Sequence, residues 1–374
     1  MAYDNNRIFY ACQAVIIVPN SGGPMASEGV PVRGLQSVGM SSTFNLEQVF
    51  EMGQIEIYEN IEDIADIEVT LEKVIDGRAL IYQLASAGTC SDNITAATKN
   101  RCDVYLAIFS DAVDSVGQSS NPNTKLNVCY NSGMYTSSVS YNYSIDGSAT
   151  ESVTLVGNDR FWNAQQVVDG TSNDPSFGPT AASLFSMSAV NNIIDNEDTP
   201  LSGVQRRVDL DMREPGAGGC TLPSEVKSQQ DSSNAGTNAG VHLQSVSVST
   251  DFSQENILEL GRFGPYTRYA TFPVEVTSEF EVIATSGDLI SVSGNTTNLG
   301  AGQQITIKDN AGTIIDLGGN NKLSSVSYSG GDTGGGNATI TYSYNTFNSL
   351  LVDGGDATDG GTNTGSGTTP ATRP

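Results

Sequence analysis

A mainly β protein is what this sequence predicts, on three observations. Apolar residues recur with period two in short runs: Val139, Tyr141, Tyr143 and Ile145 alternate with Ser140, Asn142 and Ser144, the pattern of strands with one buried face. Glycine is abundant, at 40 of 374 residues, and charged side chains make up only 16%, a mixture that suits many tight turns between strands. Finally, much of 35–77 occurs a second time from residue 243. Set without a gap, 35–58 and 243–266 are identical at ten of twenty-four positions, where unrelated segments share roughly one or two.

The matched positions read as an internal duplication. Leu35-Gln36-Ser37-Val38 returns as Leu243-Gln244-Ser245-Val246, Phe44 as Phe252, Glu47 as Glu255, Glu51-Met52-Gly53 as Glu259-Leu260-Gly261, and Tyr58 as Tyr266. One residue out of step, Ile67-Glu68-Val69-Thr70 returns as Val274-Glu275-Val276-Thr277. Ser137-Ser138-Val139-Ser140-Tyr141 returns as Ser324-Ser325-Val326-Ser327-Tyr328. This predicts two tandem modules, each long enough to bury its own core. They span 1–165 and 166–352, the second including an inter-module segment at 166–203. A Gly/Thr-rich stretch at 353–374 lacks apolar periodicity and reads as a disordered tail.

In chain order, 7–19 is rich in Ile, Val, Phe and Tyr and reads as a strand ending at a Pro/Gly cluster. A second strand is expected over 32–44. Residues 47–52 suit one or two helical turns, with Asn45 as N-cap and Gly53 as the stop. Ile55 and Ile57, then Ile67, Val69 and Leu71, alternate with polar residues and predict a long antiparallel ribbon. Apolar runs at 79–84 and 103–111 are of strand length. Asp146-Gly147 between alternating runs predicts a hairpin, and the same hairpin is expected between 324–328 and 338–344. Between the halves, 181–194 suits a helix, 204–212 a strand leading into the second module, and 227–240 a flexible loop.

Composition narrows the function. With 42 acidic against 17 basic side chains the net charge is -25, which argues against a protein that binds nucleic acid by neutralising phosphates. Five scattered cysteines, Cys12, Cys90, Cys102, Cys129 and Cys220, read as buried free thiols; Cys90 and Cys102 flank one loop and can pair only if oxidised. The N-terminus has no secretory pattern and the longest apolar run, 14–18, is too short to span a bilayer. A soluble protein made in a cytoplasm is expected.

No chemistry-bearing motif stands out, so no catalytic, cofactor-binding or metal-binding residue is expected. A nucleophilic triad would have to use the single histidine, His242, and a lone His at a strand entrance is usually structural. The Gly-rich stretches 294–302 and 329–336 lack the Lys-Ser/Thr ending of a phosphate loop and read as turns. Ten carboxylates crowd 46–76, at Glu47, Glu51, Glu56, Glu59, Glu62, Asp63, Asp66, Glu68, Glu72 and Asp76. Neither the paired spacing of a glycosidase nor a calcium loop is present. A solvated face is the ordinary explanation; an anionic wall facing DNA is available if the assembly is hollow.

The run 47–59 followed by 67–77, and its diverged copy with Glu259-Leu260-Gly261-Arg262-Phe263-Gly264-Pro265-Tyr266 and Phe272-Pro273-Val274-Glu275-Val276, resembles the tail tube proteins of tailed bacteriophages. The similarity covers about a third of the chain. It implies two tail-tube-like β-sandwich or barrel modules, each with a short helix, assembling into stacked rings around a β-barrel lumen through which DNA is ejected. The usual tube protein is a single module in a sixfold ring. Two modules per chain imply a trimer with pseudo-sixfold symmetry, or else a full hexamer. By analogy, Glu51, Gly53, Gln54, Tyr58, Glu259, Gly261, Arg262 and Tyr266 are expected at subunit or ring contacts, and Glu56, Glu59, Glu68 and Glu72 are candidates to face the lumen. Partners implied are further copies, other tail proteins (sheath or terminator, baseplate or tip) and DNA passing without specific binding; no membrane is involved. The alternative is a β-rich head decoration, fibre or adhesin, and an acidic glycoside hydrolase is a third class.

Overall fold

The computed structural model describes residues 8, 10, 13–19, 30–53, 55–86, 94–109, 125–162, 220–230, 240–262, 264–288, 290, 302–309, 312–331, 333 and 336–354. In chain order, β1 (Gln13–Pro19) and β2 (Val30–Pro31) precede β3 (Leu35–Thr43), a hairpin of β4 (Leu46–Phe50) and β5 (Ile57–Glu62), and β6 (Asp66–Val74). Two short helices, α1 (Ile81–Ala85) and α2 (Ile94–Ala97), lead to β7 (Cys102–Phe109), the long β8 (Lys125–Ser144), β9 (Thr150–Gly157) and β10 (Asp159–Trp162). After α3 (Ser224–Lys227) come β11 (Leu243–Asp251), a hairpin of β12 (Gln254–Ile257) and β13 (Thr267–Ala270), and β14 (Glu275–Ile283). The described chain closes with β15 (Gln303–Lys308), the long β16 (Ile314–Ser329), β17 (Thr339–Phe347) and β18 (Leu351–Asp353). The fold is mainly β, as predicted.

Eight strands form one continuous antiparallel surface in the order β3-β6-β9-β8-β11-β14-β17-β16. Its second four strands repeat the pairings of the first four. Irregularities recur at matching places: between Leu35 and Ser37 in β3 and between Leu243 and Ser245 in β11, then between Thr136 and Ser138 in β8 and between Leu323 and Ser325 in β16. A bulge fixes which residues face the core, because a one-residue slip would turn every side chain over. Register also corrects one sequence match. Ile67 lies opposite Ser42 and Val276 opposite Thr250, so the counterpart of Ile67 is Val276, two residues beyond the sequence match and on the same face.

The two long strands each serve two sheets. The first part of β8 pairs with β7 and β10, and its second part with β9 and β11. Likewise β16 pairs first with β15 and β18 and then with β17. Alternation of buried with half-buried or exposed positions along β9 and β14 puts Leu71, Val153, Val139, Phe280 and Tyr342 on the inner face. One contiguous core runs through both halves of the chain. Cys102, Cys129 and Cys220 are buried free thiols, as expected. Burial pushes the Cys129 thiol up to about 11, which keeps it protonated and unreactive at neutral pH.

Two predicted elements are replaced. Residues 47–52 are not helical: Leu46 to Phe50 pair with Ile57 to Glu62 as a hairpin, whose ladder satisfies the backbone groups that an isolated helical turn would leave open. Ile55 consequently sits in the hairpin turn rather than in a strand. Residues 79–84 are not a strand, because Glu151 on β9 binds the start of a helical turn. Its Oε2 accepts the Ile81 N–H at 2.6 Å and its Oε1 the Tyr82 N–H at 3.1 Å. The expected hairpins at 145–149 and after Ser329 are present. Lys227 ends α3, and Gln230 bridges to Val241, within a stretch expected to be a loop. The stretch expected as a disordered tail from 353 begins in structure, since Asp353 ends β18 opposite Ile314. The readings placed on 181–194, 204–212, 294–301, Cys12, Cys90, Gln54 and 355–374 lie outside the described residues. Among the described residues no helix is long and apolar enough to cross a membrane.

Candidate assembly edges

At the middle of the eight-stranded surface, β8 and β11 join the two sets of strands. Val248 lies opposite Tyr141, Val246 opposite Tyr143 and Thr250 opposite Val139. All of these are buried. The Phe252 N–H continues the ladder to the Ser137 carbonyl at 2.7 Å. The Phe252 ring stacks on Tyr82 of α1, with centroids 6.0 Å apart and planes 10° from parallel. Such a pair adds to the burial of both rings.

The outer edges of the surface carry the counterparts of this junction. Among the described residues β3 pairs only with β6, and residues 322–329 of β16 pair only with β17. Each therefore leaves one row of N–H and C=O groups open, the condition that invites a further strand. Phe252 is fully buried, whereas its sequence counterpart Phe44 on the β3 side is 72% exposed. Tyr141 is 1% exposed and its counterpart Tyr328 is 54% exposed. Of the side chains that seal the central junction, Phe252 and Tyr141 thus recur as Phe44 and Tyr328 and are covered once, whereas Gly330 stands at the place of Tyr143.

The junction has a second fastening without a counterpart. Arg268 on β13, 7% exposed, donates from its guanidinium to Asn158 Oδ1 at 2.9 Å and to the Gly157 carbonyl at 3.4 Å, and lies 3.2 Å from Asp66 Oδ1. It ties the second hairpin to the ends of β9 and β6. Strand pairing puts Arg268 opposite Asn256 and Asn60 opposite Gln48, so the first hairpin holds an uncharged Asn60 at this place. Asp66 is half-exposed, so water screens the ion pair, and the buried hydrogen bonds carry most of the effect. Replacing Arg268 by Met is expected to lower stability by about 2–3 kcal/mol, read as a shift in urea midpoint; an unchanged midpoint would show that the link is decorative.

The two hairpins project from the sheet with apolar tips. Met52 and Ile55 on the first and Leu260 on the second are fully exposed, and Phe50, Tyr58, Leu258 and Tyr266 are largely so. Gly53 and Gly261 stand in the two turns at φ 97° and 87° with open space where a Cβ would lie. Backbone conformation, not crowding, therefore requires glycine there. Glu51 is exposed beside Gly53. Glu259 and Arg262 form an exposed pair at 3.8 Å, with Arg262 5.9 Å above the Tyr266 ring. Seven of the eight residues expected at contacts thus lie on these hairpins, and the eighth, Gln54, is outside the described residues.

The outward face of the eight-stranded surface is mainly polar, with Tyr135, Val156, Ile283 and Phe347 as apolar members towards the strand ends. Rows of Ser, Thr and Asn cross it, such as Ser37-Glu72-Ser152-Ser140-Ser249-Thr277-Asn345-Lys322. Among the described residues its acids are Asp66, Glu68, Glu72, Asp251, Glu275, Glu279 and Glu281, and Lys322 is the cation on this face. Glu72 accepts from Ser37 and Glu281 from Ser245, the same contact in each set. Of the four acids expected to line a lumen, Glu68 and Glu72 are on this face, and Glu56 and Glu59 are exposed on the first hairpin. Glu275, Glu279 and Glu281 were not singled out from sequence, although their alternation along β14 is visible there.

No family model matches the chain, and no curated protein matches it. Among solved structures, a chain of the anti-feeding prophage baseplate overlaps 42% of this chain and 97% of its own length, with 11% identity and a TM-score of 0.31. A chain of the anti-feeding prophage tube-terminating cap overlaps 43% and 98%, with 13% identity and a TM-score of 0.30. One from the extended sheath–tube complex of an extracellular contractile injection system overlaps 43% and 93%, with 14% identity and a TM-score of 0.29. At such scores the overlap carries no function to this chain.

Proposed function

We propose that this protein is a structural subunit of a tubular phage-like tail, built from two duplicated modules over 1–165 and 166–352, whose copies join edge to edge into stacked rings. The observation that supports this best is a single sheet with two open edges, each the counterpart of a strand already paired at its centre. An edge of that kind is satisfied by closing a ring of copies. Eight strands alone would close into a barrel filled by side chains. Three copies of eight strands, spaced about 4.8 Å apart and tilted as barrel strands are, give a backbone cylinder roughly 40–50 Å across, wide enough for a duplex.

The polar face then lines the channel. Its seven acids against one lysine repel phosphate, so DNA slides through without being held. The exposed apolar hairpin tips suit contacts between rings or with other tail proteins, and the protein resides in the virion tail. No step of this role needs catalysis or a cofactor.

Electron microscopy of the purified protein across concentration and salt, with mass measurement of any ring, is the test. Hollow stacked rings are expected, with three chains each; six would keep the tube but reject the pseudo-sixfold ring. A monomer at every concentration, also in the presence of tail-tip and terminator proteins, rejects the tube and favours a decoration, fibre or adhesin.

A further inference from the structure

We infer that the contact between copies reproduces the register of the central junction, with β3 of one copy antiparallel to β16 of the next, Met40 opposite Tyr328, and Phe44 as the anchoring side chain. This rests on the ring assembly proposed above. The register follows from two correspondences. Strand β11 maps onto β3 through Leu243–Leu35, and the second part of β8 maps onto β16 through Ser137–Ser324, both supported by the recurring bulges. Val248 opposite Tyr141 therefore becomes Met40 opposite Tyr328, and Ser249 opposite Ser140 becomes Ser41 opposite Ser327.

Burial agrees with this register position by position. Val246, Val248 and Thr250 are buried, and their counterparts Val38, Met40 and Ser42 are half-buried. Each alternates with an exposed neighbour, so the inward face of β3 is ready-made and lacks only the next strand. On the other edge Val326 is half-buried where Val139 is buried. The Phe44 N–H takes the place of the Phe252 N–H, which donates to Ser137, and so meets the Ser324 carbonyl of the next copy.

The two junctions are not equal in strength. Between copies the position of Arg268 is held by Asn60, so the guanidinium that fastens the central junction is missing. Rings consequently open between chains and not within them, and the two-module chain adds to a ring as a preformed arc.

Disulfide trapping in the full-length chain tests the register. Cysteines are placed at Met40 and Tyr328 in one variant and at Ser41 and Ser327 in a second, each with single-cysteine controls that account for the native thiols. Met40→Cys with Val326→Cys serves as a pair displaced by one step on the same face. Opposite residues bring Cβ atoms to about 5 Å, diagonal ones to about 7–8 Å, and only the former suits a disulfide. Under mild oxidation at least one matched variant is expected to convert to interchain multimers ending at the ring size, about ten-fold faster than the displaced pair. Rings visible by microscopy with the displaced pair linking faster, or no pair linking, overturn the register but leave the tube. Monomers with no linking, while the single-cysteine controls retain the wild-type unfolding midpoint, overturn both. The exposed Ser41 and Ser327 sites keep the test informative should Met40→Cys fail to fold.

Discussion

Phe252→Ala is expected to destabilise the folded chain by about 3–5 kcal/mol, whereas Phe44→Ala, the same substitution at the matched position, leaves the monomer's unfolding midpoint within error. Phe252 is fully buried and stacked on Tyr82, so truncation removes its transfer energy and leaves a cavity between β11 and α1. Phe44 is 72% exposed, and its truncation removes nothing the single chain has buried. Assembly should invert the order of severity. Phe44→Ala removes the anchor from the contact proposed between copies and is expected to raise the protein concentration needed for rings by about ten-fold or more, in keeping with the cost of losing an aromatic anchor. Urea unfolding and sedimentation of the two variants measure both effects. Equal destabilisation would mean that the two phenylalanines are not counterparts, and normal assembly of Phe44→Ala would remove it from the interface.

The second large effect is expected at Glu151. Its carboxylate is fully buried, accepts the N–H groups of Ile81 and Tyr82 and the Tyr141 hydroxyl, and lies opposite Lys73 in the strand register. Lys73, itself 1% exposed, is 3.2 Å from Asp76 and donates to the Ala79 carbonyl. Glu151→Ala strands two backbone donors and a hydroxyl and is expected to cost about 3–5 kcal/mol, releasing α1 from β9. Burial raises the Glu151 pKa, and the hydrogen bonds and Lys73 only partly offset it. A carboxyl whose folded value is raised holds its proton more tightly when folded. Its contribution is therefore complete below the ordinary value near 4.5 and is lost as pH rises through the folded value. Relative to Glu151→Gln, which cannot titrate, the wild type should lose stability as pH rises above the ordinary carboxylate range. A difference that stays flat, or that runs the other way, rejects a raised folded value.

Much of the strand pattern was legible because it rests on period-two alternation, which any half-buried sheet imposes. The central hairpins, the repeat and the free thiols needed only neighbouring residues. Two local assignments failed where a distant group decided the backbone. Residues 79–84 have the composition of a strand, but the Glu151 carboxylate, about seventy residues away in sequence, caps a helical turn there. The Glu47 to Met52 run has helical spacing, but pairing with 57–62 holds it extended. Local propensities differ by less than 1 kcal/mol per residue, so one buried carboxyl that accepts two backbone N–H groups outweighs them.

The candidate contact was half visible. Phe44 with Phe252 and Tyr141 with Tyr328 are identical pairs within the repeat, and in a tandem duplication such pairs mark positions that one packing arrangement uses twice. Sequence by itself determined the mainly β class, the repeated order of strands and a strongly acidic, cation-poor surface, because period, identity and charge are properties of the chain alone. Tertiary structure decided that β8 meets β11, that the two outer edges stay open, and that Arg268 fastens one junction and not the other. Those depend on which strand edges are adjacent in space, and register between strands separated by a hundred residues is set by the packing of a shared core rather than by any local preference.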